Sequence, residues 1–519
     1  MPAQMIVDGH SLSLASVARA ARDTGLSFEL AAVARQRMAQ SRAWVESLVE
    51  RGEPVYGINT GFGIFSDRHI SRADTQRLQR NLILSHAVGV GEPFAAEVVR
   101  AAMLIRANTL ALGHSGARPE LVDALLAMLT AGITPIIPSQ GSLGSSGDLA
   151  PLSQLALTLS TDDADHDEES GQAWYQGQVL SGKSAMARAG ISRLILGPKE
   201  SLALNNGATF SAALGALALV DAQRAVAASL VGLALSLEAL RGAPGAFDER
   251  LHAARGHSGQ ETVAQAVRGL VAGSTLVGAA GRVQDAYSIR CAPQVIGPAL
   301  DILQFADGVL EREINAATDN PLLFDGEAVS GGNFHGEVVG LAMDYVAIAM
   351  AEVGAISERR TARLIDEKLN DQLPAMLAAR PEAAGLHSGL MMPHYTAAAL
   401  VLENRTLATP DSIQSLPTSA NQEDHNANST SAGRHLRSIV ENVRRIVAIE
   451  LLTAAQAVDL RLRQTPGARL GQGTAAAHAV IRQLAPFVEH DQLYGPALEA
   501  LASLVQSGAL TEPGGAAPV

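Results

Sequence analysis

The segment Ser139-Gln-Gly-Ser-Leu-Gly-Ser-Ser-Gly-Asp-Leu-Ala-Pro-Leu152 has the composition of a linker but not the setting of one. Apolar segments flank it on both sides, and Asp148 stands where a helix begins, with Pro151 in its first turn. A glycine-rich loop feeding a helix start gathers amide donors and positive potential at one point, the ingredients of an anion site. Its centre, Ser145-Ser146-Gly147, allows something further. Gly147 has no side chain, so its amide nitrogen can reach the Ser145 carbonyl. Cyclisation there, with dehydration of Ser146, gives a methylidene-imidazolone ring, a strong electrophile made from the chain itself.

Read together with six further blocks, this loop resembles that of the aromatic amino acid ammonia-lyases. The blocks are Tyr56-Gly-Ile-Asn-Thr-Gly-Phe-Gly63, Leu204-Asn-Asn-Gly207, Gln284-Asp-Ala-Tyr-Ser-Ile-Arg-Cys-Ala-Pro-Gln294, Thr318-Asp-Asn-Pro321, Gly331-Gly-Asn-Phe-His335 and Ser419-Ala-Asn-Gln-Glu-Asp-His425. With the loop they follow the family's order from Tyr56 to about Asp459, and their specificity lies in that joint order. One departure falls in the loop itself. Ser145 stands where the family typically has Ala, which adds a hydroxyl beside the ring position and leaves the dehydrating Ser146 and the cyclising Gly147 in place.

The resemblance implies a carbon–nitrogen lyase that removes ammonia from an α-amino acid to leave an α,β-unsaturated acid. The ring bonds either to the substrate amine or to its aromatic carbon, and the sequence does not choose between them. No metal and no nucleotide is implied. The implied catalytic set is Tyr56, Ser145, Ser146, Gly147, Tyr287 and Glu423. Tyr56 takes the β-proton, which a phenol of pKa about 10 does near neutral pH only with positive potential and hydrogen bonds favouring the phenolate. The implied substrate-binding set is His86, Asn206, Gln284, Arg290 and Phe334. Arg290 clamps the carboxylate bidentately. Asn206, Gln284 and Tyr287 hold ring and substrate by hydrogen bonds, and Phe334 packs beside the ring.

Ser85-His86, within Asn81–Gly91, occupies the family's selectivity position and resembles the pair in members that act on histidine. His86 can exchange a hydrogen bond with an imidazole, whereas a phenyl ring leaves it unpaired. Glu423 adds an acceptor for an imidazole N–H. The expected reaction is therefore L-histidine to urocanate plus ammonia, in histidine breakdown. A lyase or 2,3-aminomutase acting on another aromatic or modified amino acid is the alternative. Two further departures bear on that choice: Leu390-Met-Met-Pro-His-Tyr395 after Ser388-Gly389, and Asn426-Ala-Asn-Ser-Thr430 after His425.

The elements that must hold these residues read as helices. The chain has 519 residues and a net charge of −13, so it lacks the basic surface that coats nucleic acid or an acidic membrane. Hydrophobic residues make up 47% and aromatics 3%, which fits a large buried core and disfavours an all-β sandwich. From Leu436, apolar Ile439, Val440, Val443, Ile446, Val447 and Leu451 recur at the spacing of one helical face. Glu337–Asp366 is a second long helical stretch, and Leu202–Leu240 contains a third that is apolar nearly all round and must be wrapped by others. The expectation is a mainly α protein: a looser N-terminal domain over 1–200 bearing the reactive loop, a helical bundle over 201–480, and a helical segment with a flexible tail over 481–519. The family implies a homotetramer with shared active sites, and the apolar faces agree. The single cysteine, Cys291, excludes an internal disulfide and suits a reducing compartment. No basic-then-apolar leader opens the chain, and the most apolar run, Ala225–Leu237, is too short for a membrane span, so a cytoplasmic protein is expected.

Two motifs compete with this reading. Gly177-Gln-Val-Leu-Ser-Gly-Lys-Ser184 matches the phosphate-loop pattern, and nucleotide binding through Lys183 would follow from it. The residues around Gly177 read better as a hairpin, because the pattern lacks its buried strand and the chain lacks alternating strands and helices. The acidic run Asp162–Glu169 reads as a solvated insertion rather than a metal loop.

Overall fold

The computed structural model describes residues 3–510 apart from residues 53, 62, 66 and 73. Phe62 of the Tyr56 loop, and the tail from Thr511 expected to be flexible, lie outside the described residues. Helices dominate, and the strands among the described residues are confined to small sheets of two or three. The chain forms two compact units, each discontinuous in sequence. One takes Met1–Leu217, Asp307–Asp344 and Pro410–Arg434; the other takes Ala218–Ala306, Tyr345–Thr409 and His435–Val519.

The three long helical segments are present. The last runs Ser429–Gln464, and its six expected face residues, Ile439 to Leu451, are all buried. The second is Glu337–Ile365. The third is divided: a short helix, Glu200–Asn205, is followed by the helix Thr209–Ala239. The break falls where Asn206 is extended and Gly207 has φ +113°, a turn that leads into the site. In the Thr209–Ala239 helix only Gln223, Arg224 and Ala227 rise above the buried class, as a helix without a polar face requires. The Ala225–Leu237 run is thus part of a longer helix. This helix and Glu337–Ile365 are long and apolar enough to cross a membrane by length and composition, but 83% and 67% of their most apolar windows are buried inside the protein.

The phosphate-loop motif is a hairpin and a cap. Gln172–Tyr175 pairs antiparallel with Gln178–Ser181 around Gln176 and Gly177, both with positive φ. Ser181 caps the following Gly182–Arg188 helix by accepting from the Ser184 amide. Lys183 does not face an amide nest. Its Nζ donates to the Asp165 carbonyl at 2.7 Å and sits 3.0 Å from the Asp165 carboxylate. That contact also revises the acidic run. Asp165 pairs with Arg193 as well as Lys183, and Glu169 with Arg80, so the run is folded onto basic side chains. Because the Lys183 pair is partly exposed, Lys183→Ala is expected to cost no more than about 1 kcal/mol of stability and to leave turnover unchanged. Denaturant unfolding and a rate assay check this; a large loss of turnover would reopen the nucleotide reading.

Candidate active site

The Ser145–Gly147 loop is held from several sides within one unit. Gly147 has φ +79°, and a Cβ there would stand 2.0 Å from the Gly207 nitrogen, so only glycine lets the two backbones meet. Their pairing continues in a 2.9 Å bond from the Asp148 amide to the Gly207 carbonyl. The Ser146 carbonyl accepts from Asn206 Nδ2 at 2.7 Å and faces the Gly207 amide at 3.5 Å. Asn206 Oδ1 is buried and has no hydrogen-bond partner among the described residues. Arg106 grips the turn that carries these donors, through the Ala203 carbonyl at 3.2 Å and the Thr209 hydroxyl. Burial lowers the Arg106 guanidinium to about 10, against the opposing pull of Asp319 and Asp148.

Asp148 does more than open a helix. It precedes the Leu149–Leu159 helix but makes no side-chain bond to it. Its fully buried carboxylate instead accepts from the Ser211 amide at 2.8 Å, the Thr430 hydroxyl at 2.6 Å and the Ser142 hydroxyl at 2.8 Å. Ser211 lies in the first turn of the Thr209–Ala239 helix, and Thr430 in that of Ser429–Gln464. Three helix N-termini are thereby drawn to one loop, each directing partial positive charge at it. The loop's other edge is fixed by the Gly144 carbonyl, which accepts from the Gly336 amide at 3.0 Å and the Ser429 hydroxyl at 3.3 Å.

Two of the departures from the family pattern meet here. The Ser145 hydroxyl accepts from the Ala427 amide at 2.8 Å and donates to the Leu143 carbonyl at 3.3 Å. The extra hydroxyl therefore ties the reactive loop to the altered 426–430 stretch, whose Asn426, Ala427 and Asn428 are buried. None of the three lines the cavity described next.

In front of the loop lies a cavity of about 470 Å³ whose lining includes Tyr56, His86, Ser146, Asn206 and Glu423. Tyr56 enters on a turn in which Gly57 has φ +75° and leaves no room for a Cβ beside Leu202. Burial raises the Tyr56 phenol above its ordinary pKa; a bond from the Gly63 amide pulls it down, and the nearby Glu423 and Asp319 charges push it up again. The two charged side chains that act on it here are both carboxylates, which disfavour the phenolate. His86 is the last residue of the Thr75–His86 helix, and its imidazole is held below the usual histidine range chiefly by burial. The Glu423 carboxylate accepts from the Thr418 hydroxyl at 3.2 Å.

Ser145 and Gly147, which flank Ser146 in the loop, do not line this cavity, and neither do four further expected residues. Phe334 is half-buried in the same unit, two residues before Gly336. Gln284, Tyr287 and Arg290 belong to the other unit. There Gln284 is exposed, Tyr287 is 70% exposed, and the Arg290 guanidinium stacks 4.7 Å from the centre of the Tyr287 ring. Asp285, between them, is buried and pins this segment by accepting from the Ala243 amide at 2.6 Å and from Arg282 at 2.9 Å. Sequence reasoning did not single out Arg106, or Asp148 as a node. A charged residue inside an otherwise apolar stretch was the available signal. No group of three or more metal-ligating side chains occurs among the described residues.

An aromatic amino acid lyase family model matches residues 12–483. Histidine ammonia-lyase of Caldanaerobacter subterraneus subsp. tengcongensis is 46% identical, over 98% of this chain and 98% of that one. Among solved structures, histidine ammonia-lyase from Trypanosoma cruzi is similar with a TM-score of 0.88 and 39% identity, over 98% of this chain and 94% of that one. Tyrosine aminomutase from Streptomyces globisporus is similar with a TM-score of 0.90 and 35% identity, over 98% of both chains. The chain belongs to the aromatic amino acid lyase family. It is thus a carbon–nitrogen lyase with a mainly helical fold.

Proposed function

We propose that this chain eliminates ammonia from L-histidine to give urocanate. The observation that carries the reading is one cavity holding Tyr56, Ser146 and Asn206 together with His86 and Glu423, two polar groups suited to an imidazole. The relatives named histidine ammonia-lyase support it.

The loop suits a methylidene-imidazolone group formed from Ser145, Ser146 and Gly147. The Gly147–Gly207 contact leaves no space for a side chain, and Asn206 and the Gly207 amide would hold the carbonyl of residue 146. The chemistry the group supplies is that of an electrophile, which makes the substrate's ammonia a better leaving group. Tyr56 removes the β-proton. Arg290 binds the substrate carboxylate, with Gln284, Tyr287 and Phe334 completing the site. The exposure of Tyr287 and Gln284 on the single chain is in keeping with delivery of that segment from another subunit of a homotetramer, and Arg290 then adds a positive charge that favours the Tyr56 phenolate. The single cysteine is in keeping with the cytoplasm.

Offering histidine, tyrosine and phenylalanine separately and following the unsaturated product by absorbance tests the reading. Histidine is expected to turn over fastest. His86→Leu is expected to cost histidine turnover on the order of tenfold to a hundredfold, as for one lost buried hydrogen bond, and phenylalanine turnover much less. Equal or faster tyrosine turnover, or an equal loss for both substrates, would overturn the assignment. Accumulation of a β-amino acid instead of the unsaturated acid would point to the aminomutase alternative, whose fold this chain shares.

A further inference from the structure

Two side chains of the cavity lining, His86 and Glu423, can present acceptors to a substrate ring. His86 Nδ1 lies 2.9 Å from the Ser85 hydroxyl, which itself lies 3.2 Å from the Leu82 carbonyl. With the Ser85 hydroxyl donating to the Leu82 carbonyl, its oxygen is free to receive a proton from His86. That arrangement places the proton of the neutral imidazole on Nδ1. Burial keeps this ring in its neutral form at neutral pH. What His86 presents to the cavity is the Nε2 lone pair. Glu423 presents carboxylate oxygens, one of which takes the Thr418 hydroxyl.

A neutral imidazole offers one N–H and one lone pair. Between two acceptors its lone pair would face another lone pair, an unmatched polar contact in a partly desolvated site. An imidazolium offers an N–H to each. We propose that the cavity binds its substrate's side chain as a cationic azole with two N–H donors, one given to His86 Nε2 and one to Glu423, and that Ser85 acts as the positioning residue that sets the His86 tautomer. This rests on the histidine reading and deepens it. It also bears on the reaction: a ring cation withdraws electron density from the neighbouring carbon and so acidifies the β-proton that Tyr56 takes. An electron-poor ring is a weak nucleophile, which favours the amine as the part of the substrate that reacts.

The test is the pH dependence of binding of 3-(imidazol-4-yl)propionate, a histidine analogue with no amine to lose or to titrate, measured by calorimetry on the wild-type enzyme between pH 7 and 9. Tyr56 is shifted upward and His86 downward, which clears both from this window. With a ring pKa near the ordinary imidazole value of about 6.5, Kd is expected to rise about tenfold per pH unit, on the order of a hundredfold across the range. In Glu423→Gln the side-chain amide can donate to a neutral ring, and the rise is expected to shrink to within about threefold, one hydrogen bond's worth. A flat wild-type Kd would overturn the cationic ring while leaving the histidine reading intact. An undiminished slope in Glu423→Gln would overturn the role given to that carboxylate. Failure of the analogue to bind, together with absent histidine turnover, would sink both readings.

Discussion

Ser146→Ala is expected to reduce turnover on the order of a thousandfold or more, with little change in histidine affinity. The reason is chemical. Without the serine hydroxyl there is nothing to dehydrate, so no electrophile forms, and amine departure loses its covalent assistance. In the proposed reading the Tyr56 turn and the His86–Glu423 acceptors bind the substrate without the Ser146 side chain, so binding is expected to persist. The variant should also fold normally, since the loop's anchors run through the Ser146 carbonyl, Gly147 and Asp148. Steady-state kinetics beside equilibrium binding check this. Retention of more than about a tenth of the wild-type rate would contradict covalent catalysis, because a loss below about 1.4 kcal/mol in the barrier is too small for it.

Glu450→Ala is expected to be the most destabilising of the substitutions considered, by about 3–5 kcal/mol. Glu450 and Arg360 both have fully buried side chains. The guanidinium donates to Glu450 through Nε and, at 2.7 Å, through Nη2. Ser357 adds a 2.6 Å bond and Ser236 one of 3.2 Å, so a single carboxylate joins residues of the Thr209–Ala239, Glu337–Ile365 and Ser429–Gln464 helices. Removing it leaves a cation in the core with no counter-charge, while removing both partners relieves that penalty. Arg360→Met combined with Glu450→Ala should therefore recover part of the loss. Chemical denaturation compares the three proteins; a single-variant loss below about 1 kcal/mol would show that the pair is not a core element.

The helices were legible because burial imposes a spacing. Every residue of the Ile439–Leu451 face is buried, and the helix without a polar face is enclosed. What lay outside that logic was the break at Asn206–Gly207, since an apolar run continues across it and only the positive φ of one glycine reveals the turn. A partition at 200 and 480 follows composition along the chain, and composition does not report that segments 307–344 and 410–434 fold with the first 217 residues. The same blindness hid Asp148. Its three partners come from positions 142, 211 and 430, which no local pattern connects. The site was legible as a set of residue types, and Tyr56, His86, Ser146, Asn206 and Glu423 do line one cavity. That Ser145 and Ala427, each departing from the family pattern, bond to one another emerged only in three dimensions.

The central claim is that Ser145, Ser146 and Gly147 close into a ring, and intact-mass spectrometry of the purified active enzyme tests it most directly. The account predicts a chain lighter than its sequence by two waters, the deficit vanishing in Ser146→Ala. A fully active wild-type chain at its unmodified sequence mass would contradict it.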